Sequence, residues 1–294
     1  MRRIWGFVRV SDRINRFAAS VLVAGAGFAL GAPPALAEAP SRVVSINLCT
    51  DQLAMMLADE GQLLSVSRIA YDRFSSPMAD EAENYIKNYG QAEEVYMLQP
   101  DLVLAGVFTP AHTVTMLENL GIPVIQFEIT KSIGGVRDQV ARMGEALHRQ
   151  DAAAQMIADF DARRAALEAT PELRPSAMLY YANGYTSGEQ TLANEILELA
   201  GFRNAAIEAG YNWGMKMPLE VLALSDPDLV ITTRPYPGGS RAEDVMAHPA
   251  VEALKSTRAN TAVTDHDWIC GTPFVLRAVE KLAQTRREIT GEAQ

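Results

Sequence analysis

The chain has 294 residues and a formal net charge of -10 at pH 7, with 36 Asp and Glu against 26 Lys and Arg. That length is enough for one large domain or two lobes of ordinary size. The acidic balance excludes nucleic acid as a partner, because a phosphate backbone demands basic patches, and it argues against lasting contact with anionic lipid.

The first 37 residues have a character of their own. Arg2, Arg3, Arg9, Arg13 and Arg16 form a basic leader, followed by an uncharged stretch from Phe17 to Leu30. Pro33 and Pro34 then precede a small-x-small site, Ala35-Leu36-Ala37. This order predicts a secretory signal peptide, residues 1–37, cleaved after Ala37 to leave a soluble periplasmic protein. The apolar run is interrupted by glycine and is short for a membrane span of about 20 residues. No cysteine near the cleavage point suggests a lipid anchor. Loss of five Arg and one Asp takes the net charge from -10 to about -14. Two cysteines occur, Cys49 and Cys270. An exported compartment permits a disulfide between them, which would staple the beginning of the chain to its end. Two unpaired thiols, or one thiol facing a ligand, is the alternative.

From residue 38 onward, short β-branched runs alternate with helical patterns. Arg42-Val43-Val44-Ser45-Ile46 reads as a strand entering the loop Asn47–Asp51, and a helix over Gln52–Ala58 stops near Gly61. A strand at Ser65–Ser67 leads into a loop holding Arg68, Tyr71, Asp72, Arg73 and Phe74. A helix around Glu93–Leu98 precedes the turn Gln99-Pro100-Asp101 and the buried strand Leu102–Ala105. These features return later. Ala177–Tyr181 is a strand, and a helix from Thr191 to Ala200 again stops at a glycine, Gly201. Asp226-Pro227-Asp228-Leu229-Val230 repeats Gln99-Pro100-Asp101-Leu102-Val103 127 residues on, with Glu93 and Glu220 each seven residues before the proline. Short apolar strands alternating with helices predict an α/β protein with parallel-rich sheets covered on both faces. Between the halves, Gly135–Leu147 and Asp151–Ala169 are rich in strong helix formers. They are read as a long rigid interdomain helix, ended by Pro171 and Pro175. The expected organisation is an N-terminal α/β lobe over 38–132, a bridging helical segment over 133–170 and a C-terminal α/β lobe over 171–294.

Ligands of open parallel sheets gather beyond the carboxyl ends of the strands. Those loops hold two tryptophans, Trp213 and Trp268, with Tyr71, Arg73, Arg234 and Tyr236. These six are the expected ligand contacts, since aromatics and arginines suit a wide ligand that is part apolar and part charged. His112, His148, His248 and His266 are scattered, so no metal site is expected. A haem, if bound, would be held through Tyr71 or His266 on its iron. No nucleophile elbow, phosphate loop or dinucleotide glycine motif occurs, so no catalytic residue or cofactor is assigned. A periplasmic hydrolase using Ser187 or His266 is the enzymatic alternative.

Several pieces together carry a family likeness: Arg42–Ile46, Glu93 with Gln99–Val103, Leu120-Gly121-Ile122-Pro123-Val124, Thr186-Ser187-Gly188, Glu220 with Pro227–Val230, and Asp267-Trp268. In order and spacing they resemble the iron-siderophore and vitamin B12 class of periplasmic binding proteins. The resemblance implies a class III bilobal fold with a rigid bridging helix. It implies a chelated-metal ligand, a ferric siderophore or a corrinoid, held in the cleft between the lobes. Delivery would be by a monomer to the permease and ATPase complex of an ABC importer. Glu93 and Glu220 would dock onto arginines of the permease, and Trp268 would pack on the ligand. The cysteine-bearing segments Asn47–Asp51 and Trp268–Gly271 depart from the pattern of better-known members.

Overall fold

The computed structural model describes residues 38–291 except 169, 170, 235, 258 and 265, and only the backbone of 255–257 and 259–264. The leader, residues 1–37, lies outside the described residues. No described helix is long and apolar enough to cross a membrane.

The first half runs β1 (Val43–Ser45), α1 (Leu48–Leu57), β2 (Leu63–Ser67), α2 (Ala79–Ala82), β3 (Ile86–Asn88), α3 (Ala92–Met97), β4 (Leu102–Gly106), α4 (Ala111–Asn119) and β5 (Val124–Phe127). Its five strands form one parallel sheet in the order β3-β2-β1-β4-β5. Two helices follow, α5 (Ile133–Leu147) and α6 (Gln150–Leu167). The second half contains β6 (Ser176–Leu179), β7 (Tyr185–Thr186), α7 (Leu192–Leu199), β8 (Arg203–Asn204), α8 (Ala205–Glu208), β9 (Met215–Lys216), α9 (Leu219–Ser225), β10 (Leu229–Thr233), α10 (Pro249–Thr257), β11 (Ala259–Thr264) and α11 (Val275–Thr290). Its sheet, also parallel, has the order β11-β10-β6-β8, and β7 and β9, distant in the chain, make a small two-stranded antiparallel sheet.

Alternation along the strands sends neighbours to opposite faces. Val43, Leu102 and Leu104 pack on α1 and α5, while Val44 and Val103 meet Val95, Leu117 and Ile122 on the other side. In the second sheet Leu179 and Ile231 pack on α7 and α11, while Met178 and Val230 face Ala205 and Leu222. Both sheets are therefore buried on both faces, which is what continuous apolar strands require.

The repeated Pro-Asp turn has a physical explanation. Asp101 accepts from the backbone N–H and hydroxyl of Ser41, at 2.7 and 2.9 Å, and from the N–H of Arg42 at 2.9 Å. Asp228 accepts from the N–H and hydroxyl of Ser176, both at 2.8 Å. Each aspartate thus clamps a serine at the entry of the neighbouring first strand of its lobe. The residue before each proline, Gln99 or Asp226, is left-handed, with φ of 49° and 40°, and so ends the preceding helix.

The bridging segment differs from the expected single helix. It is two helices, reversed at His148, whose φ of 56° and ψ of 39° are left-handed. Histidine tolerates that region better than most residues, and no glycine or proline marks the break. The pair is held close because Gly144 lacks a side chain: a Cβ there would lie 2.4 Å from the Cβ of Ala153. Each helix serves both lobes. Val140 and Met143 of α5 and Ala153 of α6 enter the first core, and Ile133, Val136 and Phe160 enter the second. Arg163 on α6 also grips Glu280 on α11 through two 2.9 Å hydrogen bonds. The bridge is built as an antiparallel pair with ends buried in two cores.

Candidate functional site: the interlobe cleft

Both sheets point their carboxyl ends at one cleft. From the first lobe come Asn47 after β1, Gly106 at the end of β4 with Val107 and Phe108 after it, and Glu128–Thr130 after β5, around a cavity of about 190 Å3. These flank the point where strand order reverses about β1, the usual place for a ligand in an open parallel sheet. A second cavity of about 150 Å3 is lined by Arg73, Phe74 and Ser75 of the first lobe and by Thr233, Arg234, Tyr236, His266 and Ile269 of the second. Ile269 lines both, so the two are halves of one cleft. Its mouth is closed by contact across the lobes. The rings of Phe74 and Tyr236 lie 5.5 Å apart, and the Tyr236 hydroxyl is 3.2 Å from Ser75 Oγ. Thr233 and Arg234 also border a larger space, about 540 Å3, behind the Tyr236 loop.

Charge in the cleft is selective. Arg73 pairs with Asp80 at the surface, whereas Arg234 has no hydrogen-bond or ion-pair partner among the described residues. His266 Nδ1 is 3.2 Å from the carboxylate of Asp267, which is buried and held by Lys281 at 2.9 Å. That contact fixes the imidazole ring and leaves Nε2 as the nitrogen available to a ligand.

The floor of the cleft is tied together by the loop that precedes α11. Cys270 forms a disulfide with Cys49 on α1, joining positions 221 residues apart. The Thr272 hydroxyl donates to Gln52 Oε1 at 3.2 Å. Gly271 packs so closely that a Cβ would stand 2.0 Å from Thr130 Cβ. Three successive residues of the second lobe are thereby fastened to the first.

Beneath Asn47 lies Asp51, wholly buried. It accepts from the Ser67 hydroxyl at 2.5 Å and the Ser67 N–H at 3.1 Å. Burial, against the opposing help of Ser45 and Ser67, pushes its carboxyl up from 3.8 to about 7. The folded state therefore holds a proton that the unfolded state releases above pH 3.8. This group's stabilisation is greatest below pH 3.8, is lost as pH rises to 7, and does not change further above that. Asp51→Asn is expected to flatten the pH dependence of unfolding between pH 4 and 7, by up to about 4 kcal/mol at 1.36 kcal/mol per pH unit. Urea unfolding of both proteins across that range checks it; parallel profiles would refute the buried-proton account.

Of the six expected contacts, the fold brings Arg73, Arg234 and Tyr236 together. Tyr71 sits one step back. Its hydroxyl donates to the Tyr85 carbonyl at 2.5 Å, and Lys87 Nζ lies 4.0 Å from its ring centroid. Burial raises its phenol above the ordinary value, with smaller contributions from Glu83 and Asp51, so the phenolate that iron would need is disfavoured. Trp213 is exposed in the segment before β9, where the backbone of 211–213 lies against Gly188. Trp268 is half-buried against the second core. Ser187 is not among the residues lining the cleft. Phe74, Phe108, Ile129 and Ile269 are cleft residues that the reading of the sequence left unassigned. Phe108 had a signal: it follows β4 much as Tyr236 follows the equivalent strand β10. Glu93 and Glu220 are exposed in the first turns of α3 and α9, away from the cleft lining.

The family model described as periplasmic binding protein matches residues 43–267. A cobalamin-binding protein of Halobacterium salinarum is 32% identical over 203 residues, which are 66% of this chain and 54% of that protein. The match thus spans about half the length of that curated relative. A vitamin B12-binding protein of Photorhabdus laumondii is 26% identical over 260 residues, covering 85% and 89% of the two chains. Among solved structures, a periplasmic haem-binding protein from Roseiflexus sp. RS-1 superposes with a TM-score of 0.69, at 19% identity, over 85% of this chain and 98% of the other.

Proposed function

The chain belongs to the periplasmic binding protein family, and from that premise we propose that it captures a wide metal chelate, of corrinoid type, between its lobes for an ABC importer. The observation that carries the reading is the lining of the cleft. Phe74, Phe108 and Tyr236 offer flat apolar faces, Ile129 and Ile269 fill the floor, and Arg234 supplies an uncommitted cation. A planar macrocycle edged with polar groups matches such a mixture, whereas a sugar or amino acid would call for a dense net of amides and carboxylates. The naming of two sequence relatives as cobalamin or vitamin B12 binders supports the corrinoid over other chelates.

Each cleft cavity is smaller than the roughly 300–1,000 Å3 that usually encloses a ligand of drug size. Entry would therefore part Phe74 from Tyr236 and open the space behind the Tyr236 loop. Ligand binding changes no bond in this reading. Delivery would place the monomer, in the periplasm, on a membrane permease through Glu93 and Glu220, with charge complementarity setting orientation and encounter rate.

A haem carrier of the same fold is the second reading, favoured by His266 alone, whose Nε2 could meet an iron from the side. Mixing the purified protein with cyanocobalamin, haemin or a ferric hydroxamate, then desalting, tests the proposal. Retention of the cobalamin spectrum is expected. A Soret band retained with haemin and lost in His266→Ala would replace it with the haem reading, and retention of none would overturn both.

A further inference from the structure

The bridge between Cys49 and Cys270 stands in the ligand's own space. Cys49 is half-buried and lines the cavity of about 190 Å3 with Asn47, Phe108, Ile129 and Ile269. Cys270 is 1% exposed and packs with the first-lobe core, although it comes from the second half of the chain. Stapling a chain does not need a cysteine that borders a cleft, whereas thiol–disulfide exchange needs an accessible sulfur. Two further features favour the reduced form at this place. Cys49 is the second residue of the ten-residue helix α1, and its N–H donates to Asn47 Oδ1 at 3.0 Å. The helix dipole favours negative charge in that first turn, and so favours a Cys49 thiolate as leaving group. Gln52 follows three residues on, on the same helix face. It is fully buried. Its Oε1 accepts from Thr272, two residues past Cys270, at 3.2 Å, while its Nε2 has no hydrogen-bond partner among the described residues. A buried donor without an acceptor is a standing cost to the oxidised fold. Disulfide sulfur is a weak acceptor and a thiolate a strong one, so reduction supplies what Gln52 lacks.

Resting on the reading of the cleft as the chelate's site, we infer that Cys49–Cys270 is a redox latch on that cleft, opened by exchange with a dithiol. A thiolate of the dithiol attacks Cys49 Sγ, the S–S bond breaks, and Cys270 leaves and takes a proton in its apolar surroundings. The second thiol gives its proton to solvent and attacks the reductant's own sulfur in the mixed disulfide, which releases Cys49 as the thiolate. Two electrons pass from the dithiol, which ends as a disulfide, to the bridge. Residues 269 and 270 then lose their covalent tie to α1, and Ile269, which lines both halves of the cleft, loses its fixed place. A chelate must order that floor on binding, so the reduced protein holds it more weakly. Linkage makes the converse equal: a bound chelate opposes reduction by the same factor.

The test equilibrates the oxidised protein with reduced and oxidised dithiothreitol, quenches with acid, and counts free thiols by alkylation and mass. Saturating cyanocobalamin is expected to shift the midpoint about tenfold toward reduced dithiothreitol, the scale of ordering one or two residues. Calorimetry should return the same factor from the other side. The reduced protein, and Cys49→Ser with Cys270→Ser, should bind cyanocobalamin about tenfold more weakly than the oxidised protein. Without ligand, Gln52→Leu should make the bridge about tenfold harder to reduce, the scale of one lost hydrogen bond to a charged group. Thr272→Val, which removes only the hydroxyl contact with Gln52, should move the midpoint by no more than about threefold, the scale of one neutral hydrogen bond. Equal affinities in the two redox states, or thiols that form only as the protein unfolds, would overturn the inference. Failure of cyanocobalamin to bind either redox state would refute the chelate reading alone. The latch is then read in the ligand-free protein, where the Gln52→Leu shift supports it and an unmoved midpoint overturns it.

Discussion

Reduction of the Cys49–Cys270 bridge is expected to cost the folded protein about 5 kcal/mol. The bridge joins residues 221 apart, so in the unfolded chain it closes a very long loop, and the entropy of that closure is withheld from the denatured ensemble. Guanidinium unfolding with and without reductant, and of Cys49→Ser with Cys270→Ser, should show the midpoint fall together in both cases. The effect should also be local. Hydrogen exchange is expected to quicken at 269–270 and at the start of α1 and to spread no further, because Gly271 and Thr272 keep their own contacts with Thr130 and Gln52. A change below about 1 kcal/mol would mean that α5 and α6 already hold the lobes at full strength and that the bridge contributes almost nothing to the tie.

Arg234→Glu should weaken chelate binding about a hundredfold while leaving the unfolding midpoint unmoved. The stability half follows from the absence of any described partner for Arg234, which stands exposed at the end of β10 and borders two cavities. The affinity half follows from the strength of charge-assisted hydrogen bonds, about 1.5–3 kcal/mol each, and from the added repulsion of a carboxylate placed against an electron-rich rim. Tyr236→Phe makes a useful contrast. It removes only the hydroxyl contact with Ser75 and keeps the ring beside Phe74, so its affinity should stay within a factor of about three, the scale of one exposed hydrogen bond.

Much of the fold was legible because it is written locally. The Pro-Asp turn, its preceding helix and its following apolar strand recur at one spacing, and the same aspartate clamp forms in both lobes. Strand runs and glycine stops place the α/β alternation for the same reason. The reversal at His148 was not legible: the helical pattern does lapse between Leu147 and Asp151, but the turn back depends on a non-glycine residue in a left-handed conformation and on the pairing of small residues Gly144 and Ala153. In the site, loops at strand ends could be located, but which side chains face the cleft is a tertiary matter. Trp268 turns to the second core and Tyr71 spends its hydroxyl on Tyr85, while Phe74 meets Tyr236 from 162 residues away. An aromatic that packs and an aromatic that waits for a ligand look alike in one dimension.

The most direct measurement is a calorimetric titration of the oxidised wild type and of Arg234→Glu with cyanocobalamin, side by side. One site per chain at micromolar or tighter affinity, weakened about a hundredfold in the variant, is the predicted result, the ratio corresponding to about 2.7 kcal/mol. Equal affinities in the two proteins would contradict the assignment of the interlobe cleft as the place where the chelate is held.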